Sequence, residues 1–436
     1  MGLAMQLASV KSLTAIATAN APVQSEIGEA GLVPHIVKFL YGTVQELKVA
    51  ATDCICSLIA SHEGNQDRAL RCEGTKALVE IAVKASPEQR ALATVAVTAS
   101  QDTLPDLLDL ISTGSPATKE FVVKTLVDWV FGNVEVQDRI AREGGIPILV
   151  AACKSGTAKL KELAVTLIGR LNKDHPRIQR LVVEADGTLA LLELIRSGTP
   201  LQKELASTTL GTLVVGHREN QTEAALGGAI SELLMLARHG TNVVHVDHRP
   251  LCAAVRGEIL AVEQHRPRGC QKCAAMTALG CLVGCHSDNQ QQALDAGAAP
   301  LVLQVLMTSS TPQQKAAAAK LVAALCERNL GVQSALGSAG IIPPLLKMVE
   351  SGSELEQEAA SRALAALCAG HSGNRQLIAS GGGTTAVDDL SKSAHPSKGA
   401  ASLARLQIRP KFHELSSPRL TRAPVPVEHS PLHYLM

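Results

Sequence analysis

The segment from Arg177 to Val215, RIQRLVVEADGTLALLELIRSGTPLQKELASTTLGTLVV, sets the architecture of the whole chain. It reads as three consecutive helices divided by two breaks. Arg177 to Glu184 is a short amphipathic stretch, halted at Asp186-Gly187. Leu189 to Arg196 is a second, more apolar helix that ends at Ser197-Gly198. Leu201 to Val215 is a longer third helix with apolar residues at Leu205, Ala206, Leu210 and Leu213, the spacing of one buried stripe. A triplet this thin cannot cover its own apolar face, so neighbouring triplets must stack on it.

Working outward, the turn after the first helix recurs as Ala30-Gly31-Leu32-Val33-Pro34, Glu143-Gly144-Gly145-Ile146-Pro147, Ala296-Gly297-Ala298-Ala299-Pro300 and Ala339-Gly340-Ile341-Ile342-Pro343. Weaker copies stand at Gly74, Asp186, Gly228 and Gly382. Successive intervals are 43, 70, 42, 42, 69, 43 and 42 residues. A second set of glycines (Gly42, Gly114, Gly156, Gly198, Gly240 and Gly352) closes the second helix, and the run from Gly114 to Gly240 advances in steps of 42. A fixed period of this length is the mark of a stacked helical repeat. Asn65, Asn220, Asn289 and Asn374 precede first helices, where their side chains are expected to accept bonds from free backbone N–H groups. The turn glycines are expected to end those helices sharply.

Two intervals depart from the beat. Around residues 100–131 the shortfall matches one first helix with its turn, so the spacing predicts a repeat that has lost its first helix. Between Gly228 and Gly297 there are 27 residues too many, placed at about 241–267 by the match of Gln202-Lys203 with Gln271-Lys272. This reads as a loop inserted between a second and a third helix, a place where insertions are tolerated. The solenoid is expected over residues 1–409 with about eight or nine repeats, and a disordered, Pro/Ser-rich basic tail over 410–436.

The GNQ, ENQ and DNQ starts, the AGxxP-like turn, the LxxLL-like second helix and the AAxxLxxL third helix resemble armadillo repeats. These are the repeats of the vacuolar armadillo protein, importin-alpha and beta-catenin. The likeness covers roughly residues 5–408; the related HEAT repeat, with two helices and no such Gly-Pro turn, fits less well. The resemblance implies an all-α fold, a right-handed alpha-alpha superhelix. It implies a non-enzymatic scaffold or adaptor that binds extended segments of other proteins along a groove lined by third helices.

Composition agrees. Aromatics are 2% of residues and hydrophobic residues 46%, a mixture dominated by small aliphatics that suit closely packed helices. Lys and Arg number 41 against 40 Asp and Glu, a balance that argues against general nucleic-acid affinity. No signal peptide is visible and no apolar run is long enough to span a membrane, so a cytoplasmic or nuclear protein without integral membrane association is expected. The eleven cysteines show no disulfide framework.

In the nuclear-import adaptors of the family a Trp and Asn ladder grips the peptide. The resemblance places the Asn rungs here at Ala15, Ser57, Asp128, Arg170, Thr212, Cys281, Ala324 and Ala366, and none is Asn. One turn earlier stand Lys11, Asp53, Lys124, Thr166, Thr208, Thr277, Lys320 and Arg362, and none is Trp. Trp129 and Asn133 have the right spacing, but Trp129 falls in register with the buried Leu171 and Leu213. This weakens the competing reading of an importin-alpha-like transport adaptor. The candidate protein-binding residues are therefore Lys124, Asp128, Arg170, Thr212, Lys320 and Arg362, with an acidic row one turn further back at Glu120, Glu162, Glu204 and Glu358.

Five histidines, His62, His175, His217, His286 and His371, recur at one turn position. Neighbouring repeats lie about 8–10 Å apart, too far to share an ion held at about 2 Å, so a capping role is expected. Cys270 and Cys273, with Cys281, Cys285 and His286 nearby, make the region 241–286 a third reading, as a metal or catalytic centre. Its cysteines lie along one helix, which argues against a shared ion. No phosphate loop, HExxH pair or GxSxG elbow is found, and no catalytic residue, metal ligand or cofactor is assigned.

Overall fold

The computed structural model describes residues 2–60, 62–86, 89, 92–94, 96–97, 103–241, 270–309, 311–392 and 398–408. The tail at 410–436 and insert residues 242–267 lie outside them. Every regular element among the described residues is a helix. The deciding segment folds as Pro176–Glu184, Gly187–Ser197 and Pro200–Val214, and the repeat before it as Val134–Arg142, Gly145–Ser155 and Ala158–Asn172.

Local chemistry sets each boundary. Four first helices start on a histidine whose Nδ1 (His62, His175, His286 and His371) accepts the N–H three residues on, at 3.1–3.4 Å, and three others start on Asn20, Asn133 and Asn329. His217 holds the same place without that bond. Three third helices start on Ser or Thr followed by Pro, at Ser115, Thr199 and Thr311, and Thr199 and Gln202 form a reciprocal capping box. The turn between first and second helices is left-handed, at Gly144 with φ 78° and at Asp186 with φ 59°. Gly198 has a different reason to be glycine. Its backbone is extended, and a Cβ there would run into the Leu194 carbonyl.

Two expectations fail. Asn65, Asn289 and Asn374 do not cap; each lies inside its first helix and donates its amide elsewhere, because the preceding histidine already occupies the cap. Asn220 likewise lies within Arg218–Leu226 and donates to the Leu213 carbonyl at 2.9 Å. Gly74 makes no left-handed turn. Leu70–Gly74 is a π-helical stretch that carries Glu63–Ala69 directly into Thr75–Lys84.

Third helices pack side by side. Leu3–Ala17 lies against Gln45–Ile59, and an unbroken series runs from Pro116–Trp129 through Ala158–Asn172, Pro200–Val214, Gln271–Val283, Pro312–Cys326 and Glu354–Cys368 to Lys398–Ile408. Their apolar stripe is fully buried at Leu167, Leu171, Leu213, Leu282, Leu325 and Leu367. In the region of the shortened spacing, described residues 89, 92–94 and 96–97 are helical and the next helix is Leu104–Thr113, followed by Pro116–Trp129.

Candidate functional site

Asn and Gln side chains near the start of first helices hold the layer together. The Nδ2 amide of Asn65 donates to the carbonyls of Leu58, in the preceding third helix, and Gln24, in the previous first helix. Asn374 repeats this with Leu367 and Gln333, and Asn289 with Leu282 and Gln221. Glutamines reach the C-terminal ends of third helices, which present unpaired carbonyls. Gln179 donates to Thr212, Gln221 to Cys281 and Gly284, and Gln290 to Ala324 and Glu327. Sequence reasoning saw the NQ motif as a repeat marker and missed this bonding.

On this scaffold the candidate residues other than Glu204 are exposed or half-buried. Lys124, Asp128, Lys320 and Arg362 are exposed, and Arg170 and Thr212 are half-buried. Several of them also have work within the layer. Arg170 Nη1 donates to the Val127 carbonyl of the previous third helix at 2.6 Å, and its guanidinium sits 5.5 Å from the centre of the Phe131 ring. Thr212 Oγ1 donates to Asn172 Oδ1 at 2.8 Å. Arg362 pairs with Glu358 at 2.7 Å. In the acidic row Glu120, Glu162 and Glu358 are half-buried, whereas Glu204 is 4% exposed, enclosed where Gln271–Val283 packs on Pro200–Val214. Asn133 caps Val134–Arg142 through Val136 N–H and Trp129 packs on the core, so this pair is no ladder rung.

The junction at the insert keeps the regular plan. Thr241 N–H donates to Gln271 Oε1 at 2.9 Å, as Thr199 N–H donates to Gln202 Oε1 at 3.1 Å. Gln271 Nε2 reaches the Pro200 carbonyl at 2.9 Å, as Gln202 Nε2 reaches Ala158 at 3.0 Å. The two ends of the extra segment therefore meet at the start of the third helix, and helix stacking continues past it.

Cys270 is the cap residue of Gln271–Val283, and its sulfur lies 3.0 Å from that of Cys273. Cys270 Sγ also accepts the Cys273 N–H and the Gln314 side-chain amide, both at 3.4 Å. These two donors favour negative charge on Cys270. The Cys273 thiol is the main influence that lowers Cys270, to about 5, against the opposing push of burial. Cys273 is raised by its hydrogen bond with Cys270 and by burial. Burial instead pushes Cys56, Cys153 and Cys368 up to about 12, leaving them inert thiols in the core. Among the described residues no group of three His, Cys, Asp or Glu is placed to hold a metal ion. No described helix is long and apolar enough to cross a membrane.

No family model matches the chain, and no curated protein matches it. Among solved structures the chain is similar to an engineered protein at 20% identity, with a TM-score of 0.63 over 92% of this chain and 94% of that one. A second engineered protein aligns at 18% identity and a TM-score of 0.51, over 61% of this chain and 98% of its own. A designed armadillo repeat protein aligns at 18% identity and a TM-score of 0.49, over 61% of this chain and 100% of its own. Likeness at this identity is a likeness of fold. Taken with three helices per unit, a left-handed turn between the first two and a beat of 42 or 43 residues, it makes this chain an armadillo-type helical repeat solenoid.

Proposed function

We propose that the chain is a non-enzymatic scaffold that holds extended segments of partner proteins along its layer of third helices. The observation that carries this reading is the pair of surface rows. At the described repeats these two register positions are exposed or only partly buried and carry short or charged side chains. A partner backbone laid across them would meet donors and acceptors at regular intervals. Lys124, Asp128, Arg170, Thr212, Lys320 and Arg362 would make the contacts, flanked by Glu120, Glu162 and Glu358. Glu204, buried in its row, would act through packing.

Lys124 and Lys320 are the sharpest probes, because both are exposed and neither is built into the layer as Arg170 is. Proteins captured on the wild-type chain are mapped by cross-linking from positions 124 and 320 and compared with the double variant Lys124→Glu, Lys320→Glu. Captured segments should cross-link at both positions and lose affinity by about 1 kcal/mol per reversed charge, with unchanged melting. A partner set that cross-links only elsewhere and ignores both reversals would end the groove reading.

A further inference from the structure

We propose that Cys270 and Cys273 form a redox-active dithiol that closes to a disulfide by exchange with low-molecular-weight disulfides of the glutathione type. The inference is independent of the scaffold reading and can fail without it. Three features of the geometry converge. The sulfurs are already 3.0 Å apart. Cys270 caps a helix of 13 residues, whose N-terminal dipole favours negative charge on its sulfur. The Gln314 amide from the next repeat donates to that same sulfur. The equivalent glutamines Gln202 and Gln271 donate to main-chain carbonyls, so this is the one joint among these three where the acceptor can change its chemistry. The lowered Cys270 and raised Cys273 titrations agree with one thiolate and one thiol sharing a proton.

The exchange balances in two steps. The Cys270 thiolate attacks one sulfur of RSSR: a Cys270–S–S–R bond forms, the S–S bond of RSSR breaks, and RS⁻ leaves. Cys273 then yields its proton to that RS⁻, and its sulfur attacks Cys270 Sγ and expels the second RS⁻. Two electrons pass from the pair to the small disulfide. Closure removes the negative sulfur that Gln314 bonds, so oxidation should loosen the joint between Gln271–Val283 and Pro312–Cys326.

The test exposes the full-length reduced chain to oxidised glutathione, quenches with iodoacetamide and reads the cysteine peptides by mass spectrometry. Exposed Cys285, whose thiol is raised chiefly by its hydrogen bond to Glu327, serves as the internal reference. The expected result is a 270–273 peptide that loses two hydrogens, resists alkylation, reopens with dithiothreitol and reacts about tenfold faster than Cys285. In Cys273→Ser the reaction should stop at a mixed disulfide on Cys270. The proposal is overturned if the wild-type pair stays fully alkylatable while Cys285 takes up glutathione. It is also overturned if a stoichiometric zinc ion must be chelated before the pair reacts. Should the serine variant misfold, the wild-type measurement decides alone.

Discussion

Two joints of the third-helix layer follow one plan and differ in what one amide meets. Between Ala158–Asn172 and Pro200–Val214, Gln202 bonds a backbone carbonyl; between Gln271–Val283 and Pro312–Cys326, Gln314 bonds the Cys270 sulfur. The second joint lies just past the 27 extra residues, yet its third helix stacks on Pro200–Val214 as its neighbours stack on each other. The contrast teaches that the repeat is held by bonds between units more than by chain continuity within one. An insertion between a second and a third helix is tolerated because closing a longer loop adds little entropy. What the interruption changes is the chemistry of the joint.

The comparison is broken most severely through the core. Leu213 and its counterpart Leu282 are both fully buried, one in the regular unit and one beside the insert. Replacing either by Ala should cost about 2–5 kcal/mol in urea unfolding. A much smaller loss at Leu282 would mean that the interrupted unit is poorly packed. Next in size are the asparagine rungs. Asn289→Ala and Asn374→Ala each strand two buried carbonyls and should cost about 1–3 kcal/mol apiece. Equal costs would show that bonding across the insert is as firm as in the unbroken repeats.

Smaller effects sharpen the contrast. Gln202→Ala removes half a capping box, Gln271→Ala the acceptor of the Thr241 N–H, and each also removes one bond to the previous unit, for about 1 kcal/mol. Thermal melting of the pair should shift alike; a silent Gln271→Ala would place the insert junction outside the cooperative unit. The smallest difference is between histidines. His286→Ala loses a cap and should cost about 0.5–1 kcal/mol, whereas His217→Ala, which has no such bond to lose, should leave the melting curve in place.

Much of the fold was legible. The three helices of the deciding segment begin and end within two residues of where apolar spacing and the Gly breaks put them. The capping role was legible for four of the five histidines that recur at one turn, and His217 does not make the bond. The role of the asparagines was misread. Both residue types suit a helix start, and only the folded chain shows that the histidine takes the cap and leaves the Asn amide for another unit's carbonyl. Arg170 was legible as a surface position but not as a staple, since Val127 and Phe131 belong to the neighbouring unit. The C-x-x-C spacing drew attention to Cys270 and Cys273, but Gln314 lies 44 residues along and carries no mark in the sequence.

By itself the sequence determined that the solenoid is built of helices, that its unit is a triplet, and that most units follow one another at 42 or 43 residues. These properties are written within about four turns of chain, where periodicity, caps and glycines act locally. Only the tertiary structure decided which polar side chains serve the joints, which stand on the surface, and that one joint ends on a sulfur. Those choices depend on atoms 33 to 71 residues apart, brought into contact when one triplet covers the apolar face of the next.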